Sequence, residues 1–302
     1  MSMVWVGLTS FAVMVFSTTL GFIGAVNAAV QFTLFLLVAC LPGWKTGRLS
    51  YVDIAWPWGL ACIGGLTIAL SQGESTRILA AGVVYLMIGL RMGLGALVLL
   101  KKGFLQRELP RYQYRRMIWE KEGVKNVRLE TQIEILKQCI ANMSFSALPA
   151  FIIASNQTGQ FSILEFIGLG VTLGALIFET VADVQKNNFL VAMKKAGKKN
   201  QVCNVGLWKF TRHPNYFGEW MVWNGLIIAA IPSWLHLQSI EAMPVWVIFG
   251  AGLLYLSRGM YVFLVYQTGA VPAEYYSVQK RPDYANYQQT TNQFFPGPAR
   301  TK

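Results

Sequence analysis

The sequence predicts an all-α fold, a polytopic membrane helix bundle of seven or eight transmembrane helices forming a single integral domain over 1–302. Three observations carry this. Hydrophobic residues make up 54% of the chain and charged ones only 13%, against about a quarter charged in ordinary soluble domains. The charges gather in a few stretches, and the apolar runs between them approach the roughly 20 residues that a hydrocarbon core about 30 Å thick demands. The Lys and Arg residues fall on alternate loops.

The apolar runs lie at 4–24, 28–42, 54–70, 78–100, 139–156, 162–182, 216–232 and 244–266. The first has no small-residue cleavage site leading into a soluble domain, so it reads as a membrane helix and not a removed signal. The second is short, which leaves seven and eight spans both open. Eight spans put 23 Lys and Arg on one side, in 43–52, 101–137, 183–215 and the tail 267–302. The opposite loops hold only Arg77, while Arg91 and Arg258 fall inside expected spans. The positive-inside rule makes the basic side cytoplasmic, with both termini there. A bacterial inner membrane and an endoplasmic reticulum fit equally.

The net charge of +12 is explained by those loops and needs no nucleic acid, for which no reader motif is present. Cys40, Cys62, Cys139 and Cys203 are scattered without a CxxC pair, and His213 and His236 are the only histidines. No metal site is expected. Residues 101–137 mix basic and acidic residues with Phe104, Leu105, Tyr112, Tyr114, Met117, Ile118 and Trp119. That pattern predicts one or two amphipathic helices at the headgroups.

Ionisable residues within spans are costly and mark function by default. Asp53, Arg91, Glu165, Glu179, Asp183, Glu219 and Arg258 qualify or sit at span edges. Glu165 is expected to touch water and headgroups, and Arg258 to be free or to pair with a carboxylate. Glu179 and Asp183 share a helix face, as do Asn215 and Glu219. The two faces can meet at one cytoplasm-facing cavity.

The densest signal is GLWKFTRHPNYFGEW, Gly206 to Trp220. Pro214 suits a first helical turn, and a helix N-terminus offers backbone donors and a positive dipole end to an anion. Arg212 can fork onto phosphate, and Asn215 can donate and accept toward an amide or ribose. With Trp208, His213, Tyr216 and Glu219, these residues read as a pocket for an anionic, nucleotide-like cofactor.

RHPNYFGE, preceded by GLW and followed by an apolar span, resembles the C-terminal signature of the steroid 5-alpha-reductase superfamily. It is most similar to a branch described as a membrane domain of unknown function beside those reductases. VDIAW at 52–56, GLR ending at Arg91, Glu108 with Arg111 and Tyr112, and Glu179 with Asp183 and Gln185 resemble further elements of that branch. Leu109 replaces an acid there. Pro272, Glu274, Tyr284, Tyr287 and Pro296 fit its tail, so the resemblance runs over 50–296.

This resemblance implies a steroid 5-alpha-reductase-like fold and NADPH bound from the cytoplasm. Glu179, Asp183, Trp208, Arg212, His213, Asn215, Tyr216 and Glu219 would line its pocket. It also implies hydride transfer to the β carbon of a conjugated enone on a lipid or steroid-like substrate, with an acid group stabilising the developing enolate. The reductases use a Glu and a Tyr on early helices for the carbonyl. Asp53 is the nearest acid here and Tyr85 the nearest tyrosine, with Arg91 alongside as a catalytic candidate.

Isoprenylcysteine and phospholipid methyltransferases, which bind S-adenosylmethionine, share RHPxYxG but follow it with a paired-glutamate element. This chain has Glu219 directly after YFG and a single Glu274. A non-catalytic lipid-binding protein of the same fold is the third reading. A transporter fits less well, since the polar residues gather at helix ends and not at the midplane.

Overall fold

The computed structural model describes residues 3–300, apart from the side chains of Met3, Val4 and Phe104. Phe104, expected on the apolar face of 101–137, therefore lies outside the described side chains. Every regular element among the described residues is a helix.

Seven helical stretches are long and apolar enough to cross a membrane: Gly21–Thr46, Val52–Leu70, Ser75–Lys101, Val127–Ser155, Ile163–Lys195, Pro214–Ser239 and Met243–Lys280. The chain is a multi-pass membrane protein. Ahead of these lies α1 (Met3–Phe16), whose 14 residues reach about 21 Å. That is short of a full crossing, so of the expected seven or eight spans the structure has seven long ones and one short apolar helix.

The first two runs divide elsewhere than their hydropathy suggests. The break falls at 17–20, and α2 (Gly21–Phe35) continues through a π-helical turn into α3 (Leu41–Thr46). Glu241 is the cause. Its carboxylate accepts from Ser17 Oγ at 2.7 Å, Thr19 N at 2.7 Å and Thr18 N at 3.2 Å. The chain is tied down where α2 begins. Asn27, expected in a loop, is instead fully buried within α2 and donates to the Asn142 carbonyl at 3.1 Å. Gln31, one turn on, reaches Asn27 Oδ1 at 3.1 Å and the Gly59 carbonyl at 2.9 Å.

The chain divides into two compact units, Met1–Gly168 with Leu226–Ser257, and Leu169–Gly225 with Arg258–Lys302. In the first, α4 (Val52–Leu70) pairs with α5 (Ser75–Lys101). A side chain at Gly89 would meet the Ala61 backbone nitrogen at 2.4 Å, so only glycine permits this approach. Then come α6 (Pro110–Lys121), α7 (Val127–Met143) and α8 (Leu148–Ser155). The expected amphipathic stretch is α6 plus the first half of α7, but Tyr112 and Trp119 of α6 are buried in the unit's core and do not lie on headgroups.

Loops of this unit collect as an alternating topology requires. At one end Gly73 N and Glu74 N bond the carbonyls of Ala154 and Asn156, and Asn156 Nδ2 reaches Ser233 Oγ at 3.1 Å. Arg77, the one basic residue of that end, is 1% exposed, as is Glu165. They pair at 2.6 and 3.1 Å. Glu165 is therefore a buried partner and not a headgroup contact. At the other end the 47–53 segment is laced to 105–116. Glu108 accepts from Leu49 N at 2.9 Å, Ser50 N at 3.0 Å and Arg116 at 2.9 Å.

The second unit holds most of α9 (Ile163–Lys195), the start of α10 (Pro214–His236), the end of α11 (Met243–Val262), α12 (Ala270–Lys280) and α13 (Tyr284–Thr290). Arg258 on α11 is exposed, with no carboxylate paired to it among the described residues.

Candidate cofactor cleft and acid–tyrosine pair

Within the second unit α9 and α10 cross at Gly218. A Cβ there would lie 2.9 Å from Glu179 Cβ and 3.1 Å from its backbone nitrogen. Glu179 is buried, and Glu219 follows the contact glycine. The contact with Glu179 falls on Gly218, one residue from Glu219. Asp183, one turn on, is exposed.

The segment before α10 is stitched to α9 and to the tail. Gln185 Oε1 accepts from Leu207 N at 2.8 Å, and the Trp208 indole donates to the Ala182 carbonyl at 2.9 Å. Tyr287 donates its hydroxyl to the Trp208 carbonyl. Thr211 Oγ1 donates to the Phe294 carbonyl at 2.9 Å, and Arg212 N to that of Asn292 at 2.9 Å.

Arg212 departs from the expectation of a free phosphate fork. Its guanidinium holds Glu274 at 2.7 and 3.1 Å and also donates to the carbonyls of Gln288 and Thr291. At 8% exposure four of its five N–H donors lock the tail to the motif. His213 Nε2 lies 3.0 Å from Glu274 Oε1, and Gln288 completes that carboxylate at 2.8 Å. Burial pushes the His213 imidazole below its ordinary range, with Glu274 opposing and the charges of Lys186 and Arg212 adding to the shift. His213 stacks on half-buried Tyr216, with centroids 5.2 Å apart.

Two further cations, Lys186 and Arg281, line a cleft with Trp208, Arg212, His213 and Tyr284. The Lys186 ammonium sits 4.0 Å from the centre of the Trp208 ring. The enclosed volume is about 40 Å³, room for one anionic group and not for a dinucleotide. Asn215 adds an orphan. Its Oδ1 is buried and has no hydrogen-bond partner among the described residues, a state rare enough in proteins to ask for a ligand or water donor. An NADPH phosphate at Lys186 and Arg281, and an N–H or O–H of the cofactor at Asn215, fit these residues.

The sequence reading missed Lys186 and Arg281. Lys186 was legible as the next residue after Asp183 and Gln185 on the same polar turn. Arg281 sits at the end of α12 and carried no spacing signal.

In the first unit the three catalytic candidates do not converge. Gly64 packs against Gly82 and Leu86, which sets Tyr85 near the level of Gly64, eleven residues along α4 from Asp53. That is about 16 Å at 1.5 Å per residue. Tyr85 is fully buried and donates to the Ser146 carbonyl at 2.7 Å. Arg91, half-buried, lies on α5 between these levels. Asp53 instead takes Arg111 at 2.6 Å and accepts the Tyr112 hydroxyl. Burial and then the Asp53 charge raise the Tyr112 phenol well above its ordinary range and keep it protonated. Asp53 and Tyr112 thus form a hydrogen-bonded acid–tyrosine pair.

A family model described as "Protein of unknown function (DUF1295)" matches residues 41–291. The chain belongs to this family. No curated protein and no solved structure matches it. The matched range holds the Asp53–Tyr112 pair, the α9–α10 crossing and the Arg212–Glu274 clamp, and leaves out α1 and α2.

Proposed function

We propose that this chain is a membrane-embedded, NADPH-dependent reductase of a conjugated carbon–carbon double bond on a lipid or steroid-like enone. The observation that carries the reading is the orphaned Asn215 Oδ1 at the start of α10, in a motif that resembles the steroid 5-alpha-reductase signature. Bound NADPH would supply hydride to the β carbon. Lys186 and Arg281 hold a cofactor phosphate, and Asn215 accepts a hydrogen bond from its ribose or amide. Trp208, His213 and Tyr284 give that pocket its aromatic wall, with Tyr216 stacked on His213. Arg212 positions this set and does not touch phosphate. The protonated Tyr112 with Asp53 is the pair assigned to the enone oxygen, in place of Tyr85. The basic loops face the cytoplasm, where this cofactor is found.

The test is a titration of the purified full chain in nanodiscs with NADPH and, separately, S-adenosylmethionine. NADPH is expected to saturate. Lys186→Met is expected to weaken it about tenfold, the loss of about 1.4 kcal/mol, and Asn215→Leu to weaken it as well. Tyr112→Phe should leave that affinity intact and slow NADPH oxidation with an enone lipid. Saturation by S-adenosylmethionine in place of NADPH would overturn the reading. NADPH binding without oxidation across enone lipids would leave a lipid-binding protein without turnover, a reading that the separation of Asp53 from Tyr85 favours.

A further inference from the structure

The strongest unassigned feature lies in the second unit, at Arg258 on α11. Arg258 falls 14 residues into the apolar run 244–266 and 8 residues before its end. At 1.5 Å per residue that is about 21 Å from one end and about 12 Å from the other, so its backbone lies within the hydrocarbon layer. The other ionisable residues expected within spans all have partners. Asp53 holds Arg111 and Tyr112, and Glu165 holds Arg77. Arg91, Glu179, Asp183 and Glu219 each make a contact. Arg258 is exposed and makes no hydrogen bond, ion pair or ring contact among the described residues.

A guanidinium cannot escape the cost of this position by losing its proton. Facing lipid, it must reach an anion or water at the interface. The aromatic side chains that follow it show where that interface lies. Tyr261, one turn on, is half-buried and stacks on Phe295 with centroids 5.9 Å apart. Tyr266 packs edge-on against Tyr261 at 6.2 Å. Tyr266 is 55% exposed and Phe295 51%, and exposed tyrosines at the end of a span sit at headgroup level. Tyr261 is about 4.5 Å along the axis from Arg258. A side chain as long as arginine's therefore extends from the apolar side of this aromatic rim into the phosphate layer. With no carboxylate of the protein paired to it, the counter-charge comes from lipid, and a guanidinium forks onto two phosphate oxygens. A zwitterionic headgroup brings its own ammonium to that phosphate. An anionic headgroup leaves the charge to Arg258.

We infer that Arg258 binds the phosphate of an anionic phospholipid in the leaflet that holds this aromatic rim, with the acyl chains directed toward the bilayer centre. This site does not depend on the reductase reading.

Native mass spectrometry of the detergent-purified full chain can test this with two probes, dioleoylphosphatidylglycerol and dioleoylphosphatidylcholine. One equivalent of the phosphatidylglycerol is expected to be retained in preference to the phosphatidylcholine. Arg258→Met should weaken phosphatidylglycerol retention about tenfold, the worth of a hydrogen bond to a charged group. Arg258→Lys should weaken it less, because an ammonium keeps the charge and loses the fork. Arg107→Met removes an exposed charge from a loop of the first unit and should leave retention unchanged. The inference is overturned if the phosphatidylcholine is retained equally well, or if Arg107→Met weakens retention as much as Arg258→Met. It is also overturned if Arg258→Met keeps wild-type retention at the wild-type unfolding temperature. Should Arg258→Met not fold, Arg258→Gln takes its place in each comparison.

Discussion

Arg77 and Arg212 are held in almost the same way. Each guanidinium takes a glutamate through two nitrogens, Glu165 at 2.6 and 3.1 Å and Glu274 at 2.7 and 3.1 Å. Each also donates to two backbone carbonyls from one short segment, Thr158 and Gln160 or Gln288 and Thr291. Their surroundings differ. Arg77 lies against the Phe161 ring, with the guanidinium carbon 4.7 Å from its centre. Glu274, the partner of Arg212, also carries His213 and Gln288, and the clamp borders the Lys186–Arg281 cleft. An arginine in a functional motif can thus be a structural clamp, and the groups it leaves uncommitted are the ones available for a ligand.

Breaking the Arg77 clamp should have the largest effect. Glu165→Ala leaves a buried, uncompensated guanidinium and is expected to cost about 3–5 kcal/mol, read as loss of unfolding midpoint in detergent. The double replacement Arg77→Met with Glu165→Leu should recover much of that, because no lone charge remains. If the double variant is no more stable than the single one, the loss comes from packing and the comparison fails.

Arg212→Lys comes next. A point-charge ammonium cannot reproduce the fork, and the expected loss is about 1.5–3 kcal/mol. NADPH affinity should fall only to the extent that the folded fraction falls. A drop in affinity at full folding would return Arg212 to the phosphate. Gly218→Val probes the helix crossing beside this clamp and should cost about 1–3 kcal/mol through overpacking against Glu179, measured in the same way.

The smallest effect is pH-dependent. His213 is held below its ordinary value of 6.5 by burial. The unfolded chain therefore binds the extra proton first as pH falls. The contribution of His213 is present above about pH 6.5 and is lost as acid carries the solution down through its folded value. His213→Gln should flatten that part of the stability–pH curve, while Glu165→Gln in the other clamp should leave it unchanged. A curve unchanged by His213→Gln would separate His213 from the clamp energetically.

Much of the bundle was legible because a hydrocarbon core imposes a length and an apolarity that any sequence must display. The seven long spans follow from this. The α2 boundary was not legible, because Asn27 looks like a loop residue until the Asn142 carbonyl is seen to receive it. A contact of the Glu179 face was anticipated from i, i+4 spacing at Asn215 and Glu219 but falls on Gly218. The pairing of Asp53 with Tyr112 was not, since 58 intervening residues carry no periodic signal.

The sequence by itself determined a multi-pass helical membrane protein, its family motif and the end of the bundle at which polar chemistry gathers. These depend on composition, period and local spacing. The tertiary structure alone decided which charges are spent and which are left over. Arg212 and Glu165 are committed, while Lys186 and Asn215 keep capacity for something else. That distinction rests on who lies within 3 Å of whom, and residues far apart in the chain set it.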